Sequence, residues 1–563
     1  NEFRTDPDVE RANAARTDEE ATSLIGWISA AGEEIGDHPL SGGFSLGQVI
    51  REELLKDGAR KVPVQYMYSN TVHGPQGPVD LPSDATRREG HGVGLRGIDA
   101  APATEELEAR FGKLFPDLGA RPDVAPFPED LGSAGGPMDG GQNHRNSTTL
   151  FAVHTYFGQF LDHDITFDPT SSLERQQDPE AVRNFRTPSL ELDNLYGAGP
   201  AGNPFLYDRQ KPGKMLLGSA SNDPAEVDLP RNSQGVALIG DPRNDENLIV
   251  SQLHLAFLRF HNAVVDQLPD LNDGIDDDTP FEKAQRLVRW HYQWLVLHEF
   301  LPAIVGADVV EGVIRNGRKI FKPSRPFIPV EFSVAAYRFG HTMVQPGYGI
   351  NDGFGARLFP PDPNSPPPGP GQPRRDLRCG PLRFEERVNW KNFVDSGVPT
   401  SGGATRFASK IDARLAGSLI NLPTSVVPAN VPLAQRSLAV RNLKRGVTLR
   451  LPSGQDVANA VKQAAPGTRV LTKAELWAEA PSFTDSPAPL WYYILREADV
   501  ISDGERLGPV GGRIVCEVIL ALLDLDPSSF RRKSPNWKPN VLGRARPDQF
   551  TFVDLFRIAA VDV

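Results

Sequence analysis

Residues 154–170, HTYFGQFLDHDITFDPT, set acids and an imidazole among aromatic and aliphatic side chains. A buried acid is costly unless it is paired, hydrogen-bonded or bound to a cation. On a helix, which turns by about 100° per residue, Gln159, Asp162 and His163 form one polar face. Asp164 lies on the opposite, apolar side. The stretch therefore predicts a helix with two separate partners, one for each face.

The partner of Asp164 is predicted to be either an arginine or a metal ion. Oxygen-bearing side chains stand at every second position of the segment 186–197, RTPSLELDNLYG, namely Thr187, Ser189, Glu191 and Asp193. In an extended chain such side chains project to one side. Oxygen ligands suit Ca²⁺, which takes about six to eight of them, and the carboxylates favour it over Mg²⁺. Taken alone, this spacing is more often that of a solvated turn.

The segment 239–254, IGDPRNDENLIVSQLH, carries the signals of a helix start. Asp241 can cap a helix that has Pro242 at its first position. Arg243 and Glu246, at i and i+3, then share a face at the helix entrance. Taken alone, these two residues would form a capping salt bridge.

Two later segments add a second imidazole and an amide. In VAAYRFGHTMVQP, residues 334–346, His341 lies inside an otherwise apolar helix, with Arg338 one turn earlier. A buried imidazole needs a hydrogen-bond partner or a metal, and a lone one is more often a satisfied core histidine. In SLAVRNLKRG, residues 437–446, Asn442 stands between apolar and basic residues, which is typical of a helix end or a turn.

Together these segments resemble the animal-type haem peroxidases, of the peroxidase–cyclooxygenase superfamily that includes myeloperoxidase and its bacterial relatives. The resemblance covers roughly residues 145–560. It includes LGPVGGRIVCEVILALLDLDPSSF at 507–530 and FTFVDLFRIAAV at 550–561, which look like the C-terminal helices of the family. The motifs agree in order and spacing, and the first hundred residues lie outside the resemblance.

The resemblance implies a haem with a catalytic side. His163 matches the distal histidine, and Gln159 matches the distal glutamine near the halide and water position. Arg243 matches the catalytic distal arginine. Asn247 occupies the place of a methionine that bonds to the haem in myeloperoxidase, so this bond is not expected here.

The same resemblance implies residues that hold the haem. His341 matches the proximal iron ligand, Asn442 the residue that hydrogen-bonds it, and Arg338 an arginine near a haem propionate. Asp162 and Glu246 match carboxylates that form ester bonds to the haem. The implied cofactor is therefore haem b, ester-linked through these two carboxylates.

A calcium site is implied beside the distal histidine. Asp164 matches its first ligand, and the loop that completes it holds Thr187, Ser189, Glu191 and Asp193. The family usually has Asp where Glu191 stands. One Ca²⁺ is expected.

The implied activity is that of a haem-dependent peroxidase, an oxidoreductase that uses H₂O₂ as acceptor. It would oxidise small electron donors such as halides, thiocyanate or phenols through an oxyferryl intermediate. His163 would take a proton from H₂O₂ and return it to the departing oxygen. Arg243 would stabilise the charge that develops on the separating oxygens.

Two other functions compete with the peroxidase. Fatty-acid dioxygenases and cyclooxygenases of the same superfamily carry a tyrosine three residues before the proximal histidine, whereas Tyr337 precedes His341 by four. On an α-helix this shift of about 100° takes the hydroxyl away from the required direction. A non-enzymatic calcium-binding or adhesive protein is disfavoured by the joint presence of His163, Arg243 and His341. The remaining histidines of the long helices are predicted to be structural, namely His254, His261, His291 and His298.

Composition limits the other partners. The 563 residues carry a formal net charge of −12 without a basic block, which argues against nucleic acid and an anionic membrane surface. No apolar run reaches the roughly 18 residues that span a bilayer, so no transmembrane segment is predicted. With only Cys379 and Cys516, an intrachain four-cysteine zinc or iron–sulfur site is excluded. The sequence begins NEFRTDP, and no signal peptide is visible in it. We nevertheless expect a secreted or extracytoplasmic protein. The oligomeric state cannot be read from these features.

Long helices must position these residues. Apolar residues recur at helical spacing in the segments 147–163, 246–268, 281–305, 331–345, 455–464 and 510–524. Alternating strand patterns are scarce, and the 52 Gly and 51 Pro residues gather in connections such as 122–142 and 359–375. We predict a mainly α protein, with a single large helical domain at 101–563, long Pro/Gly-rich loops and few strands. An N-terminal extension at 1–100, with an amphipathic stretch at Ser45–Leu55, would precede it.

Overall fold

A computed structural model describes most of the chain from residue 111 onward. The described residues are 71–74, 77–80, 111–141, 144–167, 184, 186–220, 223–270, 279–360, 362, 364–365, 374, 376–378, 380–400, 404–427, 430–539 and 549–563. The predicted amphipathic stretch Ser45–Leu55 and Cys379 lie outside these residues, as does most of the loop 361–373.

The chain divides into two compact units. One comprises residues 1–109 with Phe185–Thr187, and its described part includes an antiparallel hairpin of β1 (Thr71–Gly74) and β2 (Gly77–Asp80). The other comprises Arg110–Asn184 and Pro188–Val563. The domain boundary predicted at residue 100 stays a prediction.

The larger unit is mainly helical, as predicted. Its first α-helices are α1 (Pro128–Gly132), α2 (Ala152–Ile165), α3 (Asp193–Tyr196), α4 (Gly199–Gly202), α5 (Leu248–Gln267), α6 (Pro280–Leu295), α7 (Leu301–Val305) and α8 (Ala307–Asn316). The later ones are α9 (Gly417–Ile420), α10 (Leu438–Thr448), α11 (Gly454–Ala464), α12 (Lys473–Leu476), α13 (Leu490–Ser502), α14 (Pro509–Leu525), α15 (Phe530–Lys533) and α16 (Phe552–Ile558).

Short 3₁₀ and π-helical segments join or extend these helices. The 3₁₀ segments are Pro204–Leu206, Pro242–Asp245, Leu268–Asp270, Ala336–His341, Phe384–Glu386, Trp390–Asn392, Leu433–Arg436 and Pro481–Phe483. The π-helical segments are Val296–Phe300 and Glu331–Ala335.

The strands of the larger unit are short and pair two by two within the described residues. The antiparallel pairs are β4 (Asn146–Phe151) with β10 (Phe407–Ser409), β5 (Gly218–Ala220) with β6 (Asp223–Asp228), and β8 (Gly347–Gly349) with β9 (Gly355–Arg357). The parallel pair is β3 (Phe111–Gly112) with β7 (Ile328–Pro329).

Helical periodicity located the long helices but not all of their ends. The segment predicted at 147–163 begins as strand β4, because residues 146–151 pair with β10 from a distant part of the chain. The segment predicted at 331–345 is a π-helical turn followed by a 3₁₀ helix that ends at His341. Ala335, at their junction, has φ −128° and ψ −73°, outside the helical region. An uninterrupted helix at 331–345 was therefore a wrong expectation.

The apolar side of α2 is fixed by a cluster of aromatic rings. Phe160 stacks on Phe257 of α5 with ring centroids 4.9 Å apart, and Phe157 meets the edge of Phe552 of α16 at 4.7 Å. Phe157 and Phe160 are fully buried. Burial of such side chains stabilises the fold by about 1.5–3 kcal/mol each, so α2 is held from behind while its polar face stays open.

Helix α5 is the one described helix that is long and apolar enough to cross a membrane by length and composition. In this fold 83% of its most apolar window is buried. A helix enclosed on all sides by a protein core has the same composition.

Candidate functional site

A cavity of about 850 Å³ brings together most of the predicted site residues. Helix α2, the segment 243–247 and the 3₁₀ helix that ends at His341 each contribute to its wall. The predicted residues that line it are Gln159, Asp162, His163, Arg243, Glu246, Arg338 and His341. Asn442 and Asp164 do not line it.

Asp164 lies on the side of α2 that helical spacing predicts. Its side chain is 0% exposed, and its Oδ1 accepts a hydrogen bond from the backbone N–H of Asp193 at 2.8 Å. Gln159, Asp162 and His163 face the cavity instead. One short helix therefore presents polar side chains on two opposite faces.

The imidazole of His163 is oriented by an asparagine that the sequence did not single out. Nδ1 of His163 lies 2.7 Å from Oδ1 of Asn244, and Nδ2 of the same amide lies 3.0 Å from Nδ1 of His254. Because an amide oxygen only accepts, Nδ1 of His163 carries a proton, and in the neutral form of the ring Nε2 is the basic nitrogen. Asn244 and His254 are both 0% exposed. The prediction that His254 is purely structural did not foresee this link to the cavity.

Arg243 is tied to the end of α2. Its Nη2 donates to the carbonyl oxygens of Thr166 and His163, at 2.6 and 3.2 Å. The same guanidinium pairs with Asp241 at 2.8 Å, and Asp241 accepts the backbone N–H of Arg243. The predicted cap by Asp241 is present, on a 3₁₀ helix, but the predicted salt bridge with Glu246 is replaced by the pair with Asp241. Arg243 thus reaches the cavity from a fixed anchor.

The next acid in the segment is held by a second arginine. Arg231 donates to both carboxylate oxygens of Asp245, at 2.6 and 2.9 Å, and also pairs with Asp228 at 2.9 Å. Asp245 lines the cavity too. This paired network braces the short stretch between Asp241 and α5.

Two carboxyl groups of the cavity have raised pKa values. Burial raises the pKa of Asp162, although Arg243 and Arg338 lower it in part. Enclosure by the cavity walls raises the pKa of Glu246 to about 7, with opposing contributions from Arg243 and from Asp162. Both groups therefore have a tendency to be protonated that ordinary surface acids lack.

His341 is held by the amide of Asn442. Nδ2 of Asn442 lies 2.6 Å from Nδ1 of His341, and its Oδ1 accepts a hydrogen bond from Nη1 of Arg338 at 2.5 Å. Burial, and then the positive charge of Arg338, lower the pKa of His341 to about 3, so the ring is neutral. Asn442 is 1% exposed in the middle of α10, not at the helix end that its sequence suggested.

A second arginine lines the cavity beside Arg338. Arg445 lies three residues after Asn442 on α10, and its charge adds to the effect of burial in lowering the pKa of Arg338 to about 10. Four arginines line the cavity, namely Arg243, Arg338, Arg378 and Arg445, and the pair of Arg338 and Arg445 suits a ligand with two carboxylates. The i, i+3 spacing of Asn442 and Arg445 is the signal that could have identified it.

Tyr337 lines the cavity as well. Its hydroxyl donates to the carbonyl oxygen of Gly158 at 3.2 Å. The expectation that its position turns it away assumed an α-helix, but residues 336–341 form a 3₁₀ helix with a different angular step. Burial raises the pKa of Tyr337 well above its usual range, and a backbone carbonyl cannot take its proton.

The segment 187–193 departs from the extended chain that the calcium prediction assumed. Leu192 has φ 60°, in the left-handed region, and Asp193 then opens α3, so the alternation of side chains stops before Asp193. Among the described residues no group of three or more His, Cys, Asp or Glu side chains has the arrangement of a metal site. Ser189 and Asp193 are buried, and the backbone N–H of Asp193 donates to Asp164 of α2. Arg289 anchors the loop by donating to the carbonyl oxygen of Glu191 at 2.5 Å.

Comparison with known proteins finds similarity to several peroxidases. The family model of the animal haem peroxidases matches residues 181–359, which include Arg243, Glu246 and His341. A peroxidasin homolog of Homo sapiens is 31% identical over 191 residues, 31% of this chain and 13% of that protein. Thyroid peroxidase of Canis lupus familiaris is 24% identical over 340 residues, 58% of this chain and 34% of that protein.

These matches span much less than the full length of either relative. Among solved structures, peroxidase A from Dictyostelium discoideum superposes with a TM-score of 0.53 at 15% identity. The alignment covers 81% of this chain and 94% of that structure, which supports the helical fold.

Proposed function

Because this chain belongs to the peroxidase–cyclooxygenase superfamily, we propose that it is a haem peroxidase that reduces H₂O₂ and oxidises small electron donors. The observation that carries the proposal is the shared cavity, whose wall holds His163, Arg243 and His341. These residues come from three separate segments of the chain.

The cavity has the donor set that a haem needs. His341 offers a neutral imidazole to the iron, since burial keeps its pKa at about 3. Arg338 and Arg445 offer guanidinium groups to the two propionates. Asp162 and Glu246 would form ester links to the haem, and their raised pKa values show that the cavity disfavours free carboxylates at these positions.

The bound haem would supply an iron that takes up peroxide and accepts the oxidising equivalents. His163, with its proton on Nδ1, presents Nε2 as the base that removes a proton from peroxide and later returns it. Arg243 would stabilise negative charge on the separating oxygens from a position fixed by Asp241 and by the carbonyl oxygen of Thr166. Gln159 would orient the ligand beside His163.

Ligation through Nε2 of His341 sets a requirement on Asn442. Nε2 can bind a metal only when the proton sits on Nδ1, and Nδ1 then needs an acceptor. The amide of Asn442 now turns its oxygen to Arg338 and its nitrogen to His341. We expect this amide to be reversed in the haem-bound protein, with Arg338 bound to a propionate instead.

We propose that one Ca²⁺ binds between α2 and the loop 188–193. Asp164 and Asp193 are both buried, and the backbone N–H of Asp193 donates to the carboxylate of Asp164. A cation between the two carboxylates would lower the cost of burying their charges. Further oxygens would come from Ser189 and backbone carbonyls. The contributions of Glu191 and Thr187 remain predictions.

The fatty-acid oxygenase is the second candidate, favoured by the presence of Tyr337 in the cavity wall. Its hydroxyl is bound to a backbone carbonyl, which favours a structural role. A calcium-binding or adhesive protein without activity would not need the fixed tautomer of His163. We also propose an extracytoplasmic location, as expected from the sequence.

The test is turnover with H₂O₂ by the haem-loaded protein against iodide, thiocyanate, a phenol and linoleate in parallel. A peroxidase oxidises the first three and needs peroxide. Oxygen uptake with linoleate in the absence of peroxide would favour the oxygenase instead. Extraction with acid and organic solvent should leave haem on the protein, whereas release of all haem b unmodified would refute the two esters.

A further inference from the structure

Asn247 begins helix α5 and also faces the cavity. Its Oδ1 accepts hydrogen bonds from the backbone N–H groups of Ile249 and Val250, at 3.1 and 2.9 Å. This is the usual bonding of a helix-capping asparagine. Its backbone forms a β-bridge with Arg378. Both the main chain and the side chain of Asn247 are therefore fixed.

The cap decides which way the amide of Asn247 points. Backbone N–H groups only donate, so the amide oxygen must face them and Nδ2 must face away. Nδ2 donates to Oε1 of Gln159 at 3.2 Å. Because Nδ2 can only donate, Gln159 must present its own oxygen to Asn247. The backbone N–H groups at the N-terminus of α5 thus fix the orientation of the Asn247 amide, which in turn fixes that of the Gln159 amide.

The hydrogen bonds that run from the N-terminus of α5 through Asn247 to Gln159 form a relay. This relay leaves a donor group of Gln159 on the cavity side. Nε2 of Gln159 points away from Asn247, and Gln159 has no second hydrogen bond with the residues that the structure describes. Gln159 lines the cavity on the same face of α2 as His163, and Arg243 lines it too. Amide and guanidinium N–H groups both donate, so Gln159 and Arg243 favour ligands that accept hydrogen bonds, above all anions. The acids of the same cavity, Asp162 and Glu246, would carry no free charge once they form the proposed esters.

We propose that Asn247 is a positioning residue that sets the hydrogen-bonding polarity of the cavity through Gln159. It thereby makes the site selective for small anions over neutral ligands that only donate. The proposal rests on the proposed function in taking the anion to be the oxidised donor, such as thiocyanate. The two amides take this orientation without a bound haem.

Asn247→Asp tests the relay with little change in shape. Aspartate caps a helix about as well as asparagine, so the melting temperature should change little. Aspartate only accepts, so Gln159 must turn Nε2 towards residue 247 and its oxygen towards the cavity. The variant should bind thiocyanate about tenfold more weakly, or weaker still. Titration of the absorption spectrum of the haem-loaded protein measures this binding.

Two controls separate orientation from charge. Asn247→Ser keeps a cap and adds no charge, and it leaves Gln159 free to adopt both orientations, so it should weaken thiocyanate binding less than Asn247→Asp. In a Gln159→Leu background, Asn247→Asp can act only by charge repulsion, and most of its effect should disappear. Equal effects of Asn247→Asp in both backgrounds would overturn the proposal.

A second measurement needs no haem. Crystals of the cofactor-free protein soaked in bromide should show an anomalous peak beside Nε2 of Gln159, which Asn247→Asp should remove. If haem fails to bind, the proposed function fails while this result still decides the role of Asn247. A bromide peak that is unchanged in Asn247→Asp would refute the relay even if the protein is a peroxidase.

Discussion

The two sides of the cavity hold a histidine in the same way but with opposite polarity. His163 is bound at Nδ1 by the oxygen of Asn244, and His341 is bound at Nδ1 by the nitrogen of Asn442. In each case a second partner orients the amide, namely His254 for Asn244 and Arg338 for Asn442. The position of the proton on each imidazole therefore depends on the second partner of its asparagine, His254 or Arg338. In the neutral ring of His163 the basic nitrogen is Nε2, as the proposed role of proton acceptor requires, whereas His341 gains that tautomer only after the amide of Asn442 reverses.

The backbone of the two sides differs as well. His163 lies on a regular α-helix backed by aromatic rings, and His341 ends a 3₁₀ helix that follows a π-helical turn. A regular helix gives each side chain a direction that spacing predicts. The irregular segment places Arg338, Tyr337 and His341 together on the cavity wall, which α-helical spacing does not predict.

The largest difference between the two sides should appear when each imidazole is removed in turn. We expect His163→Leu to lower peroxide turnover by about 10²–10⁴-fold while the protein still binds haem, because it loses the acid–base group only. His341→Leu should instead lose the spectrum of histidine-ligated haem. His261→Gln, a buried histidine bonded to Tyr196 and to Gly213, is the control for general damage. If His163→Leu and His341→Leu had the same effect, the two histidines could not be assigned different roles.

Removal of the arginine charge should have the next largest effect. Arg243→Leu should lower the turnover number by about 10²–10³-fold, as expected for loss of a group that stabilises developing charge. Arg243→Lys keeps the charge but cannot bind Asp241 through two nitrogens, so its activity should lie between. Steady-state kinetics with a phenol and H₂O₂ provide the measurement. Full activity of Arg243→Leu would remove this residue from the mechanism.

The two asparagines can be compared by the same pair of substitutions. Asn442→Leu should weaken haem binding or activity by about 10–100-fold, whereas Asn442→Asp should retain both, since aspartate accepts from Arg338 and from protonated Nδ1 of His341 alike. Asn244→Leu should lower the free energy of unfolding by about 1–3 kcal/mol, because it leaves buried ring nitrogens of His163 and His254 without this amide. Haem titration and urea unfolding measure the two effects. Equal loss from Asn442→Asp and Asn442→Leu would argue against an accepting role.

The smallest effect concerns the pH dependence of stability in the cofactor-free protein. The pKa of Glu246 is raised from 4.5 to about 7, so between these values the folded protein binds more protons than the unfolded chain. Stability supplied by this group is therefore present at low pH and is lost as pH rises towards 7. Glu246→Gln should flatten this part of the profile in urea unfolding at several pH values. Glu311→Gln, at a side chain that is 68% exposed, should leave it unchanged.

Much of the fold and of the cavity followed from sequence because the signals are local. The face of α2 that carries Gln159, Asp162 and His163 needs only helical spacing, and the cap by Asp241 needs only its neighbour Pro242. The superfamily resemblance supplied His341, which periodicity alone could not separate from a core histidine. Its ligand role, like the other roles in the cavity, stays a proposal.

The remaining features depend on contacts between distant segments. Residues 146–151 form a strand only because 407–409 lies beside them, and Phe151 stacks on Phe407 with centroids 5.2 Å apart. The amide of Asn244 is oriented for His163 because His254, six residues after the first residue of α5, contacts it. The strand pairing and the contact between His163 and Asn244 join distant segments, and spacing within one segment predicts neither of them. The positive φ of Leu192, which ends the alternation in the loop before α3, likewise has no signal such as a glycine.

The carboxylate of Glu331 limits how far the protein can be shortened from its N-terminal side. This group is 0% exposed and accepts hydrogen bonds from the backbone N–H groups of Leu114 and Phe115, at 2.8 and 3.2 Å. A fragment that begins after residue 115 would strip these donors from an acid that sits at the head of the turns leading to His341. Any trimmed version designed for crystallisation or for expression should therefore retain Phe111–Phe115, whatever is removed before it.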